Sequence, residues 1–372
     1  VANQFMKMYF SGKMLGRLRC VLMMVLVIVL PVQASDSLYE TQIPVKSQGG
    51  AARQAGFQRG LEVVLQRLTG QSDLRRLPSV AEAGRQANKL VSRFDYRDIP
   101  EQQLIDDNKY LLRVRFSQSA VNQLLRENHL PIWGETRPSV LVWLAQENTG
   151  RREFVSPEAP SFLRSDMNRE AQEWGLPLVY PLFDFEDSLA LSISDMWGLF
   201  ADPILNASRR YGVNAVMAVR IWPAGDQLIN GRALFIFRGQ VMSFDFQGVQ
   251  PNELSSQLVA QAAGQMAAFY AVAPEGADGR PIRIQVDDIA NVSDYADLIR
   301  YLESLTAVRS VMPVKVKGSR IMLDVVIDGS MDQLDAAISL GRKLAVSSSY
   351  STPKGMDPSQ IKGTSDLQYR WR

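Results

Sequence analysis

Along residues 38–130 the apolar positions recur first at helical spacing and then at alternating spacing. Phe57, Leu61, Val64, Leu65 and Leu68 fall on one helix face, and Gly70 supplies a left-handed stop. Ser79 and Glu82, just after Pro78, have the spacing of a capping box that starts a second helix carrying Val80, Ala83, Ala87 and Leu90. Tyr110, Leu112, Val114 and Phe116 alternate with polar neighbours that include Arg113 and Arg115, the signature of a strand with one solvated face. The order strand, helix, helix, strand, strand, helix predicts a small α+β module over residues 35–130.

The pattern changes after Pro131. Residues 139–145, 178–183 and 214–222 are nearly continuous apolar runs, as expected of strands buried on both faces. Helical patterns over 162–174 and 196–211 lie between them, which predicts an α/β layer domain over 131–272 with parallel strands at its centre. Arg238 and Gly239 separate two further strand patterns as a hairpin turn, and 254–270 reads as a small-sided covering helix.

Residues 273–280 are a polar, Pro- and Gly-bearing connector of the kind found between domains. Beyond it, over 281–372, the order is strand, helix, strand, strand, helix and a final strand at 367–371. That order predicts a ferredoxin-like split βαβ module with Lys317 and Gly318 at its hairpin turn. The polar stretch 347–366, which carries Pro353 and Pro358, reads as a loop.

The amino-terminal pattern is of another kind. Lys7, Lys13, Arg17 and Arg19 precede an apolar run over 21–30, then Pro31 and a small-residue site ending at Ala34, which together predict a cleavable export signal over 1–34. The run is about half the roughly 20 residues that span a bilayer, so no transmembrane span is expected after cleavage. Cys20 precedes the apolar core, which excludes a lipoprotein signal, and translation from Met14 would give a signal of ordinary length. The expected destination is therefore outside the cytoplasm.

Residues 1–34 hold four basic and no acidic side chains, out of 41 Lys and Arg against 39 Asp and Glu in the whole chain. The remainder lacks the basic excess of a nucleic-acid binder. It also has no cysteine and a single histidine, His129, so disulfides, His/Cys metal sites, cysteine nucleophiles and Ser-His-Asp triads are all excluded. No metal and no cofactor is expected.

Four groups of residues remain as candidate chemistry. Asp184, Glu186, Asp187 and Asp195 form the densest acidic stretch, a pattern that suits paired-carboxylate hydrolysis or a hard cation. A calcium-loop register puts Leu189 where glycine is required, so a solvated strand-to-helix loop is the better account. Five of the six tryptophans lie in the central segment; Trp143 and Trp222 sit in or beside strand runs and read as core, whereas Trp133 and Trp197 adjoin glycines in loops and read as surface. His129 reads as a helix-end residue, and Ser351 with Lys354 matches S-x-x-K spacing without its companion motif and with Pro353 between. Arg93, Arg97, Arg113, Arg115 and Arg126 form a basic set interleaved with Asp95, Asp98, Asp106 and Asp107, a mixed charged surface.

Leu68-Thr-Gly70, Leu130 to Gly134, Arg137-Pro138 with the apolar run from Val140, and Asp195-Met-Trp-Gly198 resemble the exported family known as domain of unknown function 2066. The likeness runs over nearly all of the chain after the export segment. It implies an envelope protein of diderm bacteria and supplies no catalytic residues. The expected function is a non-enzymatic periplasmic adaptor or assembly factor of the cell envelope, with an envelope protein as partner. Trp133, Arg137, Asp195 and Trp197 are its candidate binding residues. The alternatives are a glycan- or peptidoglycan-binding protein and a carboxylate-dependent hydrolase.

Overall fold

A computed structural model describes residues 38–100, 107–156, 161–225, 227–273, 281–347 and 365–372. The export segment over 1–34, most of the connector over 273–280, Asp106, and Ser351 with Lys354 lie outside the described residues. The chain is a multidomain α/β protein built on three sheets.

The first sheet takes its strands from β1 (Glu40–Val45), β2 (Val91–Asp98) and β3 (Tyr110–Phe116), in the antiparallel order β1-β3-β2. Helix α1 (Gly50–Thr69) lies on this sheet, and Leu61, Val64, Leu65 and Leu68 on its inner face are at most 1% exposed. Two glycines allow the close approach: a Cβ at Gly56 would lie 2.6 Å from Leu112, and one at Gly60 would lie 3.1 Å from Thr41. The helix ends at Gly70, whose φ of 70° and N–H bond to the Gln66 carbonyl make the left-handed cap that the spacing predicts. Helix α2 (Pro78–Arg85) begins without the expected capping box. Pro78 occupies its first turn, where proline's preset φ favours helix, and Glu82 bonds to Arg85 and Gln86 instead. Helix α3 (Gln118–Glu127) is capped by the Ser117 side chain and completes the module.

The second sheet is mixed. Its strands are β4 (Val140–Asn148), β5 (Arg151–Phe154), the two-residue β6 (Leu178–Val179), β7 (Ala215–Gly225), β8 (Leu228–Phe237) and β9 (Gln240–Val249). The order is β5-β4-β7-β8-β9, with β6 also on β4; β4 runs parallel to β6 and β7, and the other pairs are antiparallel. Helices α4 (Phe162–Trp174) and α8 (Pro251–Tyr270) cover one face, above Val142, Leu144, Met217 and Phe235. Three short helices, α5 (Phe185–Ala190), α6 (Ile193–Gly198) and α7 (Ala201–Ser208), cover part of the other face, above Leu141, Trp143 and Ile236. The single helix expected over 196–211 is broken at Leu199, which turns left-handed with φ 52°. The hairpin turn is as expected, with Arg238 at φ 52° and Gly239 at φ 76°.

The third sheet is also mixed. Strands β10 (Ile282–Asp287), β11 (Val308–Lys317), β12 (Arg320–Ile327), β13 (Leu344–Val346) and β14 (Leu367–Trp371) take the order β11-β12-β10-β14-β13. Helices α9 (Val292–Ser304) and α10 (Met331–Gly341) cover its inner face around Leu298, Leu302, Leu334 and Ile338. The final strand does not close a four-stranded sheet. It inserts between β10 and β13, parallel to β10 and antiparallel to β13. Among the described residues, no helix is long and apolar enough to cross a membrane.

An arginine-tryptophan face as candidate functional site

In the second sheet, alternate residues of β4, β7 and β8 point to the face covered by α5–α7. Over the first half of the parallel strands that face is sealed, with Trp143 fully buried and its Nε1 donating to Ser208 Oγ at 2.9 Å. The helical cover ends at Trp197. Beyond it, at the carboxyl ends of β4 and β7, the same face carries Arg220 and Trp222 from β7, Arg232 from β8 and Arg152 from β5. In open α/β sheets the carboxyl ends of parallel strands are where ligands bind.

The register places these charges. Arg220 lies opposite Arg232, Arg232 opposite Asp245, and Glu147 opposite Arg152. The Arg152 guanidinium sits 4.7 Å from the Trp197 ring centroid, and that of Arg220 sits 5.6 Å from Trp197 and 5.7 Å from Trp222. The two indoles are 6.3 Å apart. Arg232 pairs with Asp245, and Arg152 reaches Glu147 at 3.4 Å. Arg220 donates to the Trp197 carbonyl, and its buried Nε has no partner among the described residues. Burial, followed by Arg232 and Arg152, pulls its guanidinium below the usual arginine range.

Asp195 and Trp197 share α6 but not this role. Asp195 closes the helix start: its N–H donates to Ser192 Oγ at 3.1 Å, and that hydroxyl donates back to Asp195 Oδ2 at 2.7 Å. Trp133 and Arg137 lie elsewhere, between the first and second sheets. Trp133, expected at the surface, is 1% exposed, because its main-chain N–H bonds to the Leu68 carbonyl at 2.6 Å and Arg137 stacks over its ring at 3.9 Å. Arg137 Nη2 donates to the carbonyls of Arg67 and Trp133, both at 3.0 Å. This pair ties the end of α1 to the segment that leads into β4. Trp133 also forms part of the wall of a cleft of about 650 Å³ that Tyr39, Arg126 and Arg309 line.

The acidic stretch is clasped by one arginine. Arg210 Nη1 reaches Asp184 at 2.6 Å and Asp187 at 3.0 Å, and its Nη2 reaches Glu186 at 3.5 Å. The Arg210 hydrogen bond holds the Asp184 carboxyl down at about 2. Asp187 is 2% exposed and accepts from the Phe183 N–H and the Tyr211 hydroxyl. Asp184 accepts from the Asp187 N–H as the cap of α5. Among the described residues, no group of three or more His, Cys, Asp or Glu is placed to hold a metal ion. On the first module, Arg113 and Arg115 both reach Glu40, at 3.5 and 2.6 Å. His129 stands at the end of α3, with φ 53° and its N–H on the Arg126 carbonyl.

Sequence reasoning singled out Trp197 but missed Arg152, Arg220 and Arg232 and assigned Trp222 to the core. The spacing of Arg220 and Trp222 puts them on one strand face. Which residues stand opposite depends on the register, which no local pattern carries.

Residues 33–134 match the family model described as Domain of unknown function (DUF8605). This corrects the likeness to domain of unknown function 2066, which the family comparison does not bear out. The short motifs behind that likeness have structural work here: Gly70 ends α1, and Trp133 and Arg137 bond to the Leu68 and Arg67 carbonyls near that end. No curated protein matches the chain.

Proposed function

We propose that the chain is a non-enzymatic adaptor or assembly factor of the cell envelope, exported to the periplasm and acting through protein contacts. The observation that carries this reading is the edge strand β11. It pairs with β12 on one side and is last in its sheet, and Met312, Val314 and Val316 are 55%, 49% and 63% exposed. A free strand edge with apolar side chains is a template for strand addition by a partner. Pro313, Lys315 and Lys317 are the devices that blunt pairing between identical edges, which favours a different partner with acidic side chains over a second copy.

Module limits of 35–130, 131–272 and 281–372 belong to the same reading, with the last module a ferredoxin-like unit enlarged by β14. The hydrolase alternative loses support from the way Asp184, Glu186 and Asp187 surround Arg210. Replacing Val314 and Val316 together with aspartate tests the reading. The variant is expected to melt like the parent, since both side chains are exposed, and to hold its envelope partner at least tenfold more weakly. Unchanged partner affinity would sink the proposal.

A further inference from the structure

The face at the carboxyl ends of β4 and β7 points to a ligand as well as to a position. Its three guanidiniums converge from three strands, whereas Asp245 serves Arg232 and Glu147 reaches Arg152 only at 3.4 Å. Arg220 and Arg232 stand directly opposite each other across the β7–β8 pair, an arrangement of like charges that Asp245, bonded to Arg232, offsets only in part. Among the described residues Arg220 has no salt-bridged carboxylate, and its one hydrogen bond is to the Trp197 carbonyl. The unused N–H groups of the trio are therefore free to bind, and planar guanidinium forks match the oxygens of phosphate. Trp197 and Trp222 wall the site with indole, giving the ligand's uncharged part an apolar surface.

We propose that Arg152, Arg220 and Arg232 form a phosphate-binding site, with Trp222 packing against the group that carries the phosphate. The site is separate from the β11 edge and does not depend on strand docking there. Bound phosphate relieves the repulsion between Arg220 and its neighbours. Burial, with repulsion from Arg232 and Arg152, holds the Arg220 guanidinium low.

The experiment is a tryptophan-fluorescence titration of the purified protein at constant ionic strength, with chloride as the balancing ion. One arm uses inorganic phosphate and glycerol phosphate. The other uses vesicles of phosphatidylglycerol, with phosphatidylcholine vesicles as control. A saturable change with the soluble esters assigns the site to a free phosphorylated ligand, and a change with phosphatidylglycerol vesicles alone assigns it to a lipid headgroup. In either case Arg220→Gln is expected to weaken binding at least tenfold, and Trp222→Phe to reduce the signal. Because Arg220 also bonds to the main chain, the double variant Arg152→Gln, Arg232→Gln serves as a second test, since these side chains bond to Glu147 and Asp245. No saturable change in either arm, or equal binding by parent and double variant, overturns the proposal.

Discussion

At the residue scale, Arg210 accounts for the acidic stretch. Its bonds to Asp184 and Asp187 tie the start of α5 to the segment leading into β7. The Asp184 carboxyl is depressed from its ordinary value near 3.8 to about 2, so its contribution to stability is present in full above the ordinary value and lost as pH falls towards 2. Urea midpoints measured from pH 7 down to 2 should therefore show a decline below about pH 4 that Arg210→Gln reduces. An equal decline in parent and variant would remove the clasp from the account. The acidity of the stretch was legible in the sequence, but its neutralisation was not, because Arg210 lies 26 residues from Asp184. Trp133 and Trp197 show the same limit: both adjoin glycine, yet the first is enclosed by Leu68 and Arg137, whereas the second is half-buried beside Arg152 and Arg220.

Elements were legible where one local cause governs them. The inner face of α1, the Gly70 stop and the Arg238–Gly239 turn follow from periodicity and from backbone conformations that glycine adopts without strain. Where two local signals competed, the reading went astray. Pro78 displaced the capping box of α2, and the pattern over 196–211 shows no break at Leu199 although the chain turns there. The Phe200 ring lies so close to Gly198 that an added Cβ would be 2.7 Å away, a packing that no periodicity announces. The position of β14 was illegible because its partners, β10 and β13, are chosen by tertiary contact.

Gly70 and Gly212 separate the two causes at a helix end. Both are left-handed, at φ 70° and 57°, but a Cβ at Gly70 would lie 2.0 Å from Ala267 Cβ on α8, while at Gly212 it would meet open space. Gly212→Ala should cost about 1 kcal/mol from backbone conformation alone. Gly70→Ala should cost about 1–3 kcal/mol more, because the covering helix must shift. Denaturant unfolding of the two variants measures the difference, and equal losses would show that the contact between α1 and α8 yields freely.

For the whole molecule, the three sheets place two unlike surfaces on one chain. The β11 edge carries apolar side chains beside lysines, and the far end of the second sheet carries arginines beside indoles. The family match covers residues 33–134, which include the first sheet and neither of these surfaces. The proposed adaptor role uses such separated surfaces. The direct test is photo-cross-linking in intact cells with a reactive residue in place of Val314, the protein being kept at its natural level. The account predicts one adduct with an envelope protein, lost when Val316→Asp is added. Absence of any adduct at this position, while a control complex cross-links efficiently in the same cells, would contradict it.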